Sequence, residues 1–156
     1  MKTRKSWREK LADSKDLPRV EEITDKMSKR WGCGTVVIPA PKEVDEMIRQ
    51  VPRGKLTTVN DIRSALAKKH GATIGCPICT GIFCSIAAHA AEEDAAEGER
   101  YITPYWRVLK VGGELNPKFP GGVEAQAERL AKEGHVIDRS RRVPRVKDFE
   151  KRLWEL

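Results

Sequence analysis

The stretch Thr58-Val59-Asn60-Asp61-Ile62-Arg63-Ser64-Ala65-Leu66-Ala67-Lys68-Lys69-His70-Gly71 decides the fold class. Thr58 with an acid three residues on is a capping-box pattern, and Ile62, Ala65 and Leu66 recur at helical spacing. His70-Gly71 ends the run. Upstream, Val44, Met47, Ile48 and Val51 share one helical face until Pro52-Arg53-Gly54 breaks it. Downstream, Pro77 suits the first turn of a further helix, whose stripe Ile78, Ile82, Phe83, Ile86 and His89 runs to about Glu93. Short helix, tight turn, helix, short link, helix fits a helix-turn-helix variant.

Working outward, the period changes after the acidic link Glu92–Glu99. Pro104-Tyr105-Trp106-Arg107-Val108 leads into the turn-rich Val111-Gly112-Gly113-Glu114-Leu115-Asn116. With Tyr101-Ile102 and a short return at Glu114-Leu115, this reads as a small hairpin or wing. Val123, Ala127, Leu130 and Ala131 define another helix, ended by Gly134. The tail residues Val146, Phe149, Leu153 and Trp154 have helical spacing and are expected to dock on the core. Before the central module, residues 17–30 read as a helix on Val20, Ile23 and Met27, and Thr35-Val36-Val37-Ile38 reads as a short strand stopped by Pro39 and Pro41. The fold expected is mostly α, a winged helix-turn-helix-like domain over residues 41–156 with a short β hairpin. Residues 1–40 are expected to form a basic N-terminal extension packing on it.

Charge narrows the function classes. The 156 residues carry a formal net charge of +7. Residues 1–40 hold ten Lys or Arg against six Asp or Glu (+4), residues 134–156 hold seven against four (+3), and residues 41–133 hold thirteen of each. Basic ends above a neutral middle can neutralise phosphates. No apolar run is long enough to span a membrane, and the basic N-terminus lacks the apolar region of a signal peptide, so a cytoplasmic protein is expected.

Four segments in order carry a resemblance: Val51-Pro52-Arg53-Gly54-Lys55-Leu56-Thr57-Thr58, Pro104-Tyr105-Trp106-Arg107-Val108, Gly112-Gly113-Glu114-Leu115, and the helix from Glu124 to Gly134. From about Lys42 to Trp154 the chain is similar to the DNA-binding domain of the O6-alkylguanine-DNA alkyltransferase family, and more so to its alkyltransferase-like branch. The resemblance implies a helix entering the minor groove and a modified guanine flipped into a pocket. In the family a cysteine in a Pro-Cys-His-Arg-Val segment accepts the alkyl group. Here Tyr105 stands at the cysteine position and Trp106 at the histidine position. The alkyltransferase-like proteins carry Trp at the cysteine position and bind the lesion without repairing it, so this chain departs from that branch too.

Alkyl transfer needs a thiolate beside a base, and a phenol with a reference pKa near 10 is a poor substitute. Cysteine alkyltransferase activity is therefore not expected. An aromatic face and an edge-directed hydrogen bond are what an extrahelical base requires, and Tyr105 and Trp106 offer both. Pro104, Tyr105, Trp106 and Arg107 are the expected base pocket. Thr57, Thr58 and Asn60 fall where the resemblance implies phosphate contacts, and Arg53 and Lys55 lie in the same segment. The presumed recognition helix carries Thr80, Cys84 and Ser85, small enough for close backbone approach to a groove. No arginine lies between Arg63 and Arg100, so the arginine that the family inserts beside a flipped base is missing. Val59 stands where the family has a tyrosine. The expected partners are double-stranded DNA with a modified base and a protein of the repair machinery.

Other readings stay open. His89, with Glu92 and Glu93 beside it, and Tyr105 are the candidate acid–base groups of a glycosylase-like enzyme. A winged-helix regulator without lesion recognition is the third class. Cys76, Cys79, Cys84 and Cys33 could in principle share a metal. On one unbroken helix, however, Cys79 and Cys84 point about 140° apart, so no metal and no cofactor is expected. His70 and His135 sit at predicted helix ends and read as structural.

Overall fold

The computed structural model describes residues 6–156. Lys2, Arg4 and Lys5 of the basic N-terminal extension lie outside the described residues. The helices are α1 (Trp7–Ala12), α2 (Asp25–Trp31), α3 (Pro41–Arg49), α4 (Val59–His70), α5 (Pro77–Ala96) and α6 (Gly122–Lys132). Short strands β1 (Arg19–Glu22), β2 (Thr35–Ile38) and β4 (Ile74–Gly75) form one sheet. Strands β3 (Thr57–Thr58) and β5 (Val108–Leu109) form a second, and β6 (Ile137–Asp138) with β7 (Arg145–Val146) a third. The chain is thus mostly helical with small open sheets, a winged helix-turn-helix-like fold in which α4 and α5 are the helix pair.

The local signals of the central module act as read. Thr58 Oγ1 accepts the Asp61 N–H at 3.1 Å and caps α4. Gly71 closes that helix at φ +64°, a left-handed conformation that glycine adopts without a Cβ penalty. Pro77 opens α5 as expected, and Pro41, read as a strand stop, also opens α3. Val44, Met47 and Ile48 bury one face of α3.

Helix α5 is turned the other way from its expected stripe. Its buried positions are Thr80, Cys84, Ala87, Ala88, Ala90 and Ala91, whereas Ile78 and Ile82 are 60% and 52% exposed. The reason is distance: α5 packs against α1, α3 and α4 together, and small side chains let a central helix approach its neighbours closely. Volume at the contact, rather than hydropathy, chose the buried face.

Three expected elements are corrected. Residues 17–30 are not one helix. Val20 pairs with Val37 in the antiparallel β1–β2 ladder, and the Thr24 hydroxyl caps α2 by accepting the Met27 N–H. The wing is not formed by Tyr101–Leu115. Tyr105–Arg107 winds into a 3-10 turn, and Val108 and Leu109 pair in parallel with Thr57 and Thr58. The buried Gln126 imposes this path. Its Nε2 donates to the carbonyls of Trp106 and Val108, and its Oε1 accepts the Asn116 N–H. The hairpin among the described residues is β6–β7 instead. The tail is not an α-helix either: Val146 belongs to β7, Phe149–Arg152 is a 3-10 turn, and Leu153 bridges to Leu56.

Residues 6–40 are integrated with the rest. Helix α1 lies against α5 and α3. Trp7 stacks on His89 with centroids 4.4 Å apart, and the Arg8 guanidinium pairs with Asp94 and Glu97.

Candidate nucleic-acid interface

The Tyr105–Arg107 turn, the C-terminal half of α6 and the side of α5 that carries Glu92 meet around an open cleft of about 700 Å3. Arg53, Tyr105, Trp106, Arg129, Lys132 and Glu133 are among its lining residues. Its walls are built from two acid-centred junctions.

In the first, Tyr105 Oη donates to Glu92 Oε1 at 2.6 Å, and Arg129 Nη2 donates to the same oxygen at 2.7 Å. The Tyr105 ring is 1% exposed and meets Trp106 and Phe119 edge-on. Burial, reinforced by the Glu92 carboxylate, pushes the phenol pKa up, with Arg129 opposing more weakly. Tyr105 is therefore a neutral donor and not a phenolate nucleophile.

In the second junction Glu133 gathers four donors. Arg107 Nε and Nη2 form a fork on its carboxylate, Trp106 Nε1 donates at 2.7 Å, and the Gly54 N–H at 3.3 Å. Burial alone would raise the Glu133 pKa, but Arg107 and the Trp106 N–H outweigh it and hold the acid below its ordinary value. Arg107 Nη1 also reaches the Val51 carbonyl at 2.7 Å, tying the 3-10 turn to the end of α3. The Arg129 guanidinium lies 4.4 Å from the Trp106 ring centroid, a cation–π contact on the cleft wall.

The sequence-predicted residues divide into those near the cleft and those elsewhere. Tyr105 and Trp106 line it, and Arg53 is at its edge with Nη2 on the Lys132 carbonyl. Arg107 holds the segment from behind. Pro104 is buried and borders a neighbouring concavity of about 460 Å3, with Arg49, Arg100 and Tyr101, across the shared Trp106 and Arg129. Lys55 is half-buried and Asn60 exposed, with its Oδ1 accepting from Arg63. Ser85 is half-buried on α5.

Four expected DNA contacts are corrected. Thr57 is fully buried in the β3–β5 ladder, and its hydroxyl has no partner. The Thr58 hydroxyl is used by the α4 cap. Thr80 is fully buried and donates to the Cys76 carbonyl at 2.6 Å. Cys84 is fully buried as well. Thr57, Thr80 and Cys84 are fully buried and Thr58 is 8% exposed, so these side chains offer little surface to a groove. His89 is also displaced from its expected role: it is stacked under Trp7, its Nε2 meets the Lys118 carbonyl, and it does not line the cleft.

The cysteines do not converge. Cys33 is exposed, Cys76 is buried at the start of α5, and the Cys79 N–H donates to Cys76 Sγ. Burial pushes the Cys84 thiol up to about 12. Burial, with Cys76 next to it, pushes Cys79 up to about 11. None of the four lines the cleft. Among the described residues no three His, Cys, Asp or Glu side chains are grouped so as to hold a metal ion.

Sequence reasoning missed Glu92 as the acceptor for Tyr105, and missed Arg129 and Glu133 altogether. Arg129 and Glu133 sit on or next to a helix whose apolar positions drew the reading, and nothing in their spacing marks them. The signal available was unpaired: an Arg and two buried ring donors in one short segment demand acceptors.

No protein-family model and no curated protein matches this chain. Solved structures do. The crystal structure of S. pombe Atl1 in complex with damaged DNA containing O6-carboxymethylguanine aligns with a TM-score of 0.53 at 19% identity, covering 74% of this chain and 94% of that one. The crystal structure of S. pombe ATL in complex with DNA aligns with a TM-score of 0.54 at 20% identity and the same coverage. At these identities the likeness is one of architecture, and the chain has the fold of the S. pombe alkyltransferase-like protein.

Proposed function

We propose that this chain binds double-stranded DNA and lodges a modified base in the cleft beside Trp106, without taking an alkyl group onto itself. The observation that carries the reading is the cleft. It opens at the segment where the resemblance implies a flipped base, walled by Trp106 and the Arg129 guanidinium. The planar guanidinium can stack on a base and donate to its edge. Arg53, Lys55 and Lys132 supply positive charge close by. The S. pombe proteins of like fold are held with DNA, in one case carrying O6-carboxymethylguanine.

Chemistry favours recognition over reaction. The thiols with shifted pKa values are raised, the Tyr105 phenol is neutral, and His89 is occupied elsewhere. Activated nucleophiles and poised bases are what a transferase or glycosylase would require. The test is a titration of labelled duplexes with and without O6-alkylguanine, followed by a gel assay for abasic sites. Tighter binding of the modified duplex with no strand product supports the reading. Equal affinities, or abasic product, would remove it.

A second reading is favoured by the outward isoleucines of α5. An uncharged helix face exposing Ile78 and Ile82 suits a winged-helix protein that binds a protein partner. Lesion-independent, sequence-specific duplex binding in the same titration would point to such a winged-helix regulator.

A further inference from the structure

Beyond the C-terminal end of α6 the chain forms a smaller concavity of about 290 Å3, lined by His135, Lys147, Asp148, Lys151 and Arg152 among others. Its parts come from the turn after α6, the residue after β7 and the last 3-10 turn. The Lys147 N–H donates to the Val136 carbonyl at 2.9 Å, and the Lys151 N–H donates to the Asp148 carbonyl at 3.1 Å. Three cations thus border one small space against one carboxylate, Asp148.

Cations nearby are of two kinds. Arg107, Arg139 and Arg145 each have a carboxylate partner, Glu133, Glu124 and Asp138 respectively. Among the described residues, the side chains of Lys147, Lys151 and Arg152 have no ion pair and no hydrogen bond, and Arg141 and Arg142 too have no ion pair. His135 also lines the concavity. His135 is 7% exposed, and its Nε2 is buried without a partner. Burial first, then Arg152 and Arg107, push the His135 pKa down against the opposing Glu133. The ring is therefore neutral at pH 7, with one N–H to donate and one lone pair. The three cations are exposed and hydrated, so an anion in the concavity would exchange water for charge-assisted hydrogen bonds, and His135 is the buried group beside it that lacks a partner.

We propose that this concavity binds a phosphate group, with Lys147, Lys151 and Arg152 supplying charge and His135 Nε2–H a hydrogen bond. Two sources share this chemistry: a backbone phosphate of a DNA duplex, and a free phosphate. The duplex is favoured by nearness to the cleft, since Glu133 lines the cleft and the next residue, Gly134, lines this concavity. The Leu56 N–H donates to the Arg152 carbonyl and the Trp154 N–H to the Leu56 carbonyl, which puts the concavity next to Lys55. In that form the proposal rests on the DNA-binding reading above and adds a second anchor to it.

The experiment uses the full chain, labelled for NMR, with inorganic phosphate in one arm and unmodified duplex in the other. The wild type is compared with Lys147→Ala/Lys151→Ala, two exposed positions whose loss leaves the core intact. Phosphate should shift the His135 ring and the Gly134–Val136 amides saturably at about millimolar concentration, and at least about fivefold more weakly in the double variant. Duplex that displaces phosphate identifies the backbone as the source. Duplex without effect on a site that saturates with phosphate identifies a free phosphate. In the first case the slope of log K against log salt should be shallower by up to about 1 in the variant, the loss expected for one phosphate contact. No saturation with either probe, or identical shifts in the variant, overturns the proposal. The ratio of affinities for modified and unmodified duplex reports on the cleft alone. A failure of lesion recognition is thereby separated from a failure of this site.

Discussion

Tyr105 and Glu92 are joined by a 2.6 Å hydrogen bond from the phenol to the carboxylate. This bond fastens the 3-10 turn to the centre of the fold, because Glu92 belongs to α5, the helix that α1, α3 and α4 all touch. Tyr105 is a buried structural donor. Tyr105→Phe removes the donor and leaves Glu92 with Arg129. It should lower stability by about 1.5–3 kcal/mol, the usual range for a hydrogen bond to a charged group, with the modified-duplex affinity changed less than about threefold. Chemical denaturation and the duplex titration check both halves. A loss of lesion binding much larger than the loss of stability would mean that the phenol touches the base.

Glu133 is the second fixed point, and it makes an acid limb. Its pKa is held below the ordinary 4.5 by Arg107 and Trp106 against the cost of burial. A depressed carboxylate contributes stability that is present above the unfolded value and lost as pH falls through the folded one. Stability should therefore fall as pH drops below about 4.5, and Glu133→Gln should flatten that limb. At neutral pH the same variant leaves the Arg107 charge, whose side chain is 13% exposed, with no carboxylate, at an expected loss of about 3 kcal/mol. Urea midpoints across pH for both proteins measure this.

Arg129 covers the Trp106 ring face, yet its side chain is 35% exposed. Arg129→Ala should unfold at a temperature close to that of the wild type. Its affinity for a modified duplex should fall by roughly tenfold, within the range of one stacking contact, while unmodified duplex binds almost as before. Equal losses on both duplexes would place Arg129 on the phosphate backbone instead.

Thr57 Oγ1 is buried and unpartnered. Thr57→Val exchanges an unsatisfied hydroxyl for a methyl of similar shape, so stability should be unchanged or rise by about 1 kcal/mol. DNA affinity should stay as in the wild type. A loss of binding would restore Thr57 as a contact.

Gly81 lies within α5 with nothing within 4 Å of where a Cβ would stand, and Gly75 would place its Cβ 2.6 Å from the Arg63 carbonyl oxygen. Gly81→Ala should stabilise by about 0.5–1 kcal/mol through helix propensity. Gly75→Ala should destabilise. Thermal unfolding of the two variants gives opposite signs.

The sequence by itself determined the elements whose causes are local. The Thr58 cap, the Gly71 stop, the proline start of α5 and the periodic face of α3 each depend on residues within a few positions, and all formed where read. It also determined that no thiol stands at position 105. Tertiary structure decided the rest. Which face of α5 is buried depends on how near its neighbours lie, so alanines displaced isoleucines from the core. Where Val108-Leu109 pairs depends on Gln126, whose amide claims the Trp106 and Val108 carbonyls from another helix. The cleft itself depends on Glu92, Arg129 and Glu133, acids and a base that meet Tyr105, Trp106 and Arg107 only once α5 and α6 are packed. Hydrogen bonds between residues 13 to 37 positions apart leave no period in a sequence, and only the folded chain brings their partners within reach.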